Sequence, residues 1–156
     1  MLRSFIGKIL EWFLNYNHLV VVSRTDFVAR LPKGQYSDDA GYDLYVSNDT
    51  TIPAGAVGEV PSGIILDPRT KIWFEIKARS STFRKRGLEV QDAVIDRGYR
   101  GEMFAIVYNP SDKPIEVKKG ERICQIVPHR LIPCKFTFGD LSQSDRGIEG
   151  FGSSGQ

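Results

Sequence analysis

Short apolar runs, separated at close intervals by glycine- and proline-containing turns, constrain the fold of this chain more than any other feature. Its 156 residues include 15 Gly and 8 Pro, and turn signals such as Pro53-Ala-Gly55 and Asn109-Pro110 interrupt the apolar sequence. Runs of this length are typical of β-strands and are too short for the helices of a bundle. We therefore expect one all-β domain of about ten short strands, arranged as a sandwich or jelly roll. The predicted strands include Leu19–Val22, Asp26–Arg30, Gly58–Ile65 and Cys134–Phe138.

Residues 1–18 follow a different pattern, in which apolar side chains recur at helical spacing. Arg3, Lys8 and Glu11 fall off this apolar stripe, which predicts an amphipathic helix of about four turns. The segment is too short and too interrupted to span a bilayer. We expect it to pack on the domain, on a neighbouring subunit or on a protein partner, with binding to a membrane surface as an alternative. The apolar positions are Leu2, Phe5, Ile6, Ile9, Leu10, Phe13 and Leu14.

Composition and charge exclude several classes of function. The formal net charge is only +2, which is not the basic footprint of a nucleic-acid-binding protein, so we expect no nucleic-acid partner. Neither the P-loop pattern nor the Rossmann glycine pattern occurs, and His18 and His129 are too isolated to suggest a metal site. Cys124 and Cys134 form no C-x-x-C pattern, and the start of the chain lacks the features of a signal peptide. Together these observations indicate a reducing compartment, either cytoplasmic or nuclear.

The C-terminal segment, residues 141–156, is glycine-rich and unsuited to a core. We expect it to be a mobile arm that follows a β domain spanning residues 19–140. The arm carries groups suited to a nucleotide, because Arg146 offers a planar fork for phosphate and Phe151 offers an aromatic face for a base. In the middle of the chain, Asp96 lies at a predicted strand end beside aromatic and basic side chains, which makes it a candidate general base.

Five polar clusters interrupt the predicted strands, and in this order they resemble the five motifs of the trimeric dUTPase family. The resemblance covers roughly residues 25–155. It implies an all-β subunit with a jelly-roll fold (a dUTPase-like distorted β-barrel) and a homotrimer whose three active sites are each built from all three chains. It also implies that dUTP is the substrate, hydrolysed with Mg²⁺ to dUMP and pyrophosphate. The clusters are Asp39–Leu44, Ala78–Ser81, Ala93–Gly101, Gly120–Gln125 and Arg146–Gly155.

The resemblance implies that the third cluster carries the reaction and the recognition of the nucleoside. Asp96 matches the catalytic aspartate, which orients and deprotonates the attacking water. Tyr99 matches the aromatic residue that packs under the deoxyribose and leaves no room for a 2′-hydroxyl group. The backbone just before Asp96, at Ala93, Val94 and Ile95, matches the hairpin that reads uracil.

The other clusters match the residues that hold the triphosphate. Phe151 is expected to stack on the uracil ring, and Asp39 matches an acidic residue that reaches the metal indirectly, through water. Mg²⁺ prefers phosphate and water oxygens, so we expect no complete metal site made of protein side chains. The matched phosphate ligands are Arg79, Ser80, Ser81, Gln125, Arg146, Gly152, Ser153 and Ser154.

Three positions depart from the family pattern. Ala93 stands where glycine is common, and alanine would be strained there if the backbone required a positive φ. Glu149 stands where the arm usually has glycine, and its carboxylate would repel a triphosphate unless it pointed to solvent. Ala78 replaces a common proline, with little expected effect.

Two other functions remain as alternatives. dCTP deaminase shares the fold, but it needs a glutamate three residues before the asparagine that closes the next strand. Here that asparagine is Asn109 and the residue at the glutamate position is Ile106. A non-catalytic protein that binds dUTP as a sensor is the second alternative, and the complete set of matched site residues argues against it.

Overall fold

The computed structural model of this protein describes residues 19–144 and Gly147. This part of the chain contains eleven β-strands and one short α-helix, which confirms the all-β prediction. The predicted helix in residues 1–18 and most of the predicted arm lie outside the described residues. The elements are β1 (Val20–Arg24), β2 (Tyr42–Leu44), β3 (Thr50–Ile52), β4 (Val57–Pro61), β5 (Ile64–Pro68), β6 (Ile72–Ala78), α1 (Thr82–Arg86), β7 (Glu89–Val90), β8 (Ala93–Ile95), β9 (Phe104–Tyr108), β10 (Ile115–Val117) and β11 (Cys124–Arg130).

The strands pair antiparallel in four small sheets. β1 pairs with β5 and β3 pairs with β10, while β9 lies between β4 and β7. The largest sheet has the order β2–β11–β6–β8. In this sheet Gln125 of β11 is paired with Asp43 of β2 on one side and with Lys77 of β6 on the other. The register of this sheet positions most of the predicted site residues.

The alternation of side chains along β6 shows how the core forms. Ile72, Phe74 and Ile76 are buried, whereas Trp73 and Glu75 point to the other face and are half-buried, as the period of two in a β-strand requires. Burial of each such apolar side chain stabilises the fold by roughly 1.5–3 kcal/mol. Further buried side chains of the same core come from other strands of this sheet, from the other sheets and from the segment before β7, among them Leu44, Ile52, Val60, Ile64, Leu88, Val107, Val117 and Ile126.

The predicted strand Gly58–Ile65 is two strands, β4 and β5, because the chain turns at Gly63. Gly63 has a φ of +70°, and an added Cβ would lie 3.0 Å from the Cβ of Ala29 and 3.1 Å from the Cβ of Ser47. Glycine is the residue that adopts such a φ readily and leaves this space open. The turn allows β4 to pair with β9 and β5 to pair with β1.

Two other predicted strands are wrong. Asp26–Arg30 forms a turn instead, because the Asp26 side chain accepts a hydrogen bond from the N–H of Val28 at 3.1 Å and its carbonyl accepts one from Ala29 at 3.1 Å. Such local hydrogen bonds from aspartate compete with strand pairing. Cys134–Phe138 belongs to no strand among the described residues, and the side chains of Phe136 and Phe138 are fully exposed.

Candidate active site

Asp43 is the centre of a buried charge cluster at the start of the largest sheet. Its carboxylate accepts hydrogen bonds from Nε of Arg79 at 2.6 Å, from Nη1 of Arg122 at 3.0 Å and from Nε2 of Gln35 at 3.0 Å. Arg79 also donates from Nη1 to the carbonyl oxygen of Arg122 at 3.2 Å. Asp43 is buried, and a buried carboxylate needs partners of this kind to be tolerated. These contacts hold the guanidinium group of Arg79 in one orientation, and its other N–H groups remain suited to an anion.

Gln125 lies beside this cluster because Gly41 leaves space for it. Its Nε2 donates to the carbonyl oxygen of Ala78 at 3.1 Å, next to Arg79 in the sequence. A Cβ at Gly41 would lie only 2.2 Å from Oε1 of Gln125. Glycine is therefore required for close approach here, and the structure places the predicted phosphate ligands Arg79 and Gln125 near one another.

Ser80 and Ser81 follow Arg79 and lead into α1. In the described part of the chain, neither serine side chain makes a hydrogen bond, so both hydroxyl groups are available to a ligand. Thr82 fixes this segment to the start of β11, because its buried hydroxyl group donates to the carbonyl oxygen of Ile123 at 2.6 Å. The helix then ends at Gly87, whose φ of +66° provides a left-handed C-cap.

Asp39 organises the loop before β2. Its Oδ2 accepts hydrogen bonds from the backbone N–H groups of Gln35 at 2.7 Å and Tyr36 at 2.9 Å. Gln35 in turn bonds to Asp43, so the loop is coupled to the charge cluster. The second oxygen of Asp39 has no protein partner in the described structure and could accept a hydrogen bond from water.

The third predicted cluster lies on β8 and the turn that follows it. β8 is an edge strand of its sheet, so the outer edge of its backbone presents unpaired N–H and C=O groups. Ala93 is paired with Ile76 of β6 and, like every described non-glycine residue, has no positive φ. Alanine is therefore accommodated at this position without the backbone strain that a positive φ would cause.

Asp96 begins the turn after β8. It is exposed, and its carboxylate makes no hydrogen bond or ion pair with any residue that the structure describes. The turn itself is fixed, because Tyr99 donates its N–H to the Asp96 carbonyl at 3.0 Å and Nε of Arg97 donates to the carbonyl of Thr70 at 2.9 Å. Arg100 adds an ion pair with Asp67 at 2.5 Å. A free carboxylate on a fixed backbone is suited to accept a proton from water.

The ring of Tyr99 folds back over Gly101. A Cβ at Gly101 would lie 2.2 Å from the Tyr99 hydroxyl oxygen, and that hydroxyl group donates to the carbonyl of Glu102 at 3.2 Å. Tyr99 as a whole is 40% exposed. It therefore presents an aromatic surface beside Asp96 from a defined position.

Within one chain, the Asp96 turn and the Arg79 cluster lie at opposite ends of β6. Ile95, the neighbour of Asp96, is paired with Phe74, whereas Arg79 lies five residues beyond Phe74, just after the last residue of β6. At about 3.3 Å per residue of strand, this corresponds to a separation on the order of 16 Å. The structure thus brings Arg79, Ser80, Ser81 and Gln125 together, but it does not bring Asp96 and Tyr99 to them.

Sequence reasoning missed three residues that shape these two clusters, namely Asp43, Arg122 and Glu102. A charged residue next to buried strand positions in the sequence could have indicated them, because a charge in such a place requires a partner. The predicted ligands of the arm lie outside the described residues, and so does Glu149. Those ligands are Arg146, Phe151, Gly152, Ser153 and Ser154.

The pKa values of two side chains near these clusters are raised. Burial raises the pKa of the Cys124 thiol to about 12, with a smaller contribution in the same direction from Asp43. Close to the uracil-reading hairpin predicted above, Lys77 has a raised pKa because it forms hydrogen bonds with Asp92 and Glu75.

Among residues 19–144, no three His, Cys, Asp or Glu side chains form a metal cluster. The same residues include no helix that is long and apolar enough to cross a membrane.

The described all-β domain holds an oriented guanidinium group at one end of β6 and an exposed carboxylate near the other end, and known proteins give the family. The model of the dUTPase family matches residues 28–155. The deoxyuridine 5'-triphosphate nucleotidohydrolase of Candida glabrata is 36% identical over 119 residues, which cover 75% of this chain and 83% of that protein. The chain therefore belongs to the dUTPase family.

Two further comparisons concern viral proteins. The Pol polyprotein of ovine maedi visna related virus is 34% identical over 133 residues, which are 83% of this chain but only 12% of that polyprotein. A variant of the dUTPase of Staphylococcus bacteriophage 80alpha, solved with dUpNHpp, has a TM-score of 0.82 at 22% identity and covers 88% of this chain and 99% of that one. This likeness confirms a dUTPase-like fold.

Proposed function

We propose that this protein hydrolyses dUTP to dUMP and pyrophosphate through attack of water on the α-phosphate. Membership of the dUTPase family supports this function, and one observation carries the assignment of the base. Asp96 presents an exposed carboxylate, with no partner among residues 19–144, on a backbone that three neighbouring residues hold in place. A carboxylate in this setting can orient a water molecule and take its proton.

The triphosphate would bind at the Arg79 cluster. The guanidinium group of Arg79 is oriented by Asp43 at 2.6 Å, and Ser80, Ser81 and Gln125 add uncharged donors beside it. Donors fixed before the reaction stabilise the negative charge that develops on phosphate oxygens without any cost of reorganisation at that moment. We propose that Arg146, Ser153 and Ser154 of the arm add further phosphate contacts.

The nucleoside would bind at β8 and the following turn. The unpaired outer edge of β8 at Ala93–Ile95 can present donors and acceptors to uracil, and Tyr99 would support the deoxyribose. We propose that Phe151 stacks on the base and that Gly152 lets the arm approach the nucleotide closely. Stacking would offset the entropy lost when the arm becomes ordered.

Mg²⁺ is proposed to bind with the substrate. Phosphate and water oxygens suit this cation, and the second oxygen of Asp39, which accepts no hydrogen bond from the described residues, fits a contact through water. We propose that the triphosphate and water supply most of the ligands of this metal. When bound, Mg²⁺ would neutralise part of the phosphate charge.

We propose that the protein is a homotrimer with shared active sites. The separation of about 16 Å along β6 places the Arg79 cluster and Asp96 too far apart to serve one α-phosphate within a single chain. In a symmetric oligomer, the Asp96 end of one copy can lie beside the Arg79 end of another. Each copy then contributes to more than one site.

Residues 131–144 offer a means of assembly. After Leu131, which donates its N–H to the carbonyl of Lys71, this segment leaves the body of the protein with Phe136 and Phe138 exposed. A cavity of about 750 Å³ is lined on one side by apolar residues of β1, β5, β6 and β11, including Val22, Phe74 and Ile126, and on the other side by the loop before β2, including Tyr36 and Asp39. We propose that the two phenylalanines of one copy pack into this cavity on another copy, because exposed apolar surface of this kind marks an interface.

The test of the proposed function is a comparison of nucleotides. Purified protein with Mg²⁺ is mixed separately with dUTP, dCTP, dTTP and UTP, and the release of pyrophosphate and ammonia is measured. We expect pyrophosphate from dUTP only, and Asp96→Asn should lower kcat by about 10²–10⁴-fold. Asp112→Asn, which alters another exposed carboxylate, is the matched control and should retain activity.

The same experiment distinguishes the alternatives. Release of ammonia from dCTP would indicate a deaminase, despite Ile106 at the position that the deaminase uses for its glutamate. Tight binding of dUTP without turnover would indicate a nucleotide sensor. Both cysteines are unpaired, which fits the proposed reducing compartment, cytoplasmic or nuclear.

A further inference from the structure

Glu102 joins the turn that carries Asp96 and Tyr99 to two other parts of the chain. Its Oε1 accepts a hydrogen bond from the N–H of Gly63 at 2.9 Å, in the turn between β4 and β5. Its Oε2 accepts one from the hydroxyl group of Thr25 at 2.8 Å, just after β1. Both oxygens of the side chain are thus used within the protein, and they fix Glu102 relative to two segments that are distant in the sequence.

The backbone of the same residue contacts Tyr99 directly. The carbonyl of Glu102 accepts the hydrogen bond from the Tyr99 hydroxyl group at 3.2 Å. Gly101, which lies between them, has no side chain to restrict its backbone, and the Tyr99 ring occupies the space where a Cβ would be. The direction in which the chain runs from Gly101 into Glu102 therefore depends on how firmly Glu102 is held.

The next residue is anchored by backbone hydrogen bonds of its own. Met103 donates its N–H to the carbonyl of Ile64 at 2.8 Å, and its carbonyl accepts a hydrogen bond from the N–H of Ser62 at 3.0 Å. Loss of the Glu102 side chain would leave these bonds in place. Its effect should therefore fall on the segment before it, where Tyr99 lies, more than on the folding of the sheets.

We propose that Glu102 is a positioning residue that determines sugar specificity by holding the Tyr99 ring against Gly101. This inference rests on the proposed function, in which Tyr99 lies under the deoxyribose. A ring in a fixed position leaves no room for a 2′-hydroxyl group, whereas a ring that can move aside admits it. Steric exclusion of one added hydroxyl group requires that the side chain it would contact does not move.

The experiment measures kcat and KM for dUTP and UTP with the wild-type protein, Glu102→Ala, Glu102→Gln and the control Glu59→Ala. Glu59 lies on the exposed side of β4 and is not part of the proposed site. In Glu102→Ala, we expect the ratio of kcat/KM for UTP to that for dUTP to rise at least about tenfold, mainly through a higher KM for dUTP and a measurable rate with UTP.

Glu102→Gln should restore the wild-type ratio to within about twofold, since an amide oxygen can accept from Gly63 and its NH₂ group can donate to the Thr25 hydroxyl oxygen. Thr25→Val removes only one of the two hydrogen bonds and should give an intermediate ratio. It also serves as the second variant if Glu102→Ala does not fold. Unchanged ratios in folded, active Glu102→Ala or Thr25→Val would overturn the proposal.

Failure of the proposed function would be visible separately, because the wild-type protein would then not hydrolyse dUTP. In that case amide hydrogen exchange still tests the positioning role. Faster exchange at residues 97–101 in Glu102→Ala, with unchanged exchange in β9, supports it. Equal exchange in the two proteins refutes it.

Discussion

Nε of Arg79 lies 2.6 Å from Oδ1 of Asp43, across the sheet that joins two of the sequence clusters. Asp43 is more deeply buried than Arg79, with 8% against 24% of the side chain exposed. The buried carboxylate of Asp43 therefore depends on this ion pair to be tolerated in the fold. The guanidinium group of Arg79 keeps part of its surface available to a ligand. This unequal burial allows one ion pair to serve both stability and binding.

Replacement of Asp43 by Asn should impair both properties. Loss of the charge leaves Arg79 and Arg122 with a weaker common partner, and we expect the free energy of unfolding to fall by about 2 kcal/mol. We also expect a higher KM for dUTP, because Arg79 would no longer be held in one orientation. Chemical denaturation and steady-state kinetics measure the two effects. The control is Asp49→Asn at an exposed ion pair, which should lower the free energy of unfolding by less than about 1 kcal/mol. Equal losses of stability in the two variants would contradict the assigned role of Asp43.

Shared active sites predict complementation between two inactive variants. Arg79→Ala and Asp96→Asn each remove one half of every site when alone. After unfolding and refolding as an equal mixture, about a quarter of the sites should combine an intact Asp96 from one copy with an intact Arg79 from another. Activity should then return to about a quarter of the wild-type value. A mixture as inactive as its two components would mean that each site is built within one chain.

The exposed phenylalanines predict a dependence of assembly on the segment after β11. Replacement of both Phe136 and Phe138 by Ser should convert the proposed trimer into monomers, because the apolar surface that drives the contact is removed. Light scattering coupled to gel filtration measures the mass. Phe27→Ser is a matched control, since Phe27 is also exposed but lies outside this segment. A trimer that persists in the double variant would show that other surfaces hold the copies together.

Gly41→Ala should affect substrate binding more than folding. The new Cβ would meet the end of the Gln125 side chain, which can rotate away, so the cost in stability should be small, below about 1 kcal/mol. Displaced Gln125 would lose its contact with the Ala78 carbonyl, and KM for dUTP should rise several-fold. Gly139→Ala is the control, because among the described residues, its two chain neighbours apart, no atom lies within 4 Å of the added Cβ. Unaltered kinetics in Gly41→Ala would remove Gln125 from the proposed site.

The raised pKa of Cys124 predicts a loss of stability at high pH. The pKa of the thiol is about 12 in the folded protein against an ordinary value of 9.0, so the folded state binds more protons between these two values. The contribution is complete below pH 9, and the free energy of unfolding should decrease as the pH rises from about 9 towards 12. Denaturation at several pH values measures this slope, which should be reduced in Cys124→Ala.

In the wild-type protein at pH 8, iodoacetamide should modify exposed Cys134 and leave Cys124 unreacted.

The class of fold and the identity of the candidate groups could be predicted from the sequence. Turn residues and alternating apolar positions predict strands such as β6 and β8, because local backbone preference and burial on one face act in the same direction there. The ordered clusters around Asp39, Arg79, Asp96 and Gln125 likewise carry the resemblance to the dUTPase family.

Tertiary structure decided what depends on contacts between distant residues. The turn at Gly63 divides one apolar run into two strands because Ala29 and Ser47 approach it from elsewhere in the chain. Asp43 belongs to the site because Arg79 and Arg122 converge on it, and no local pattern specifies that convergence. The separation of Asp96 from Arg79 likewise follows from the register of β8 on β6. Register is set by side-chain packing across the sheet, so the sequence identified the groups and the tertiary fold fixed the distances between them.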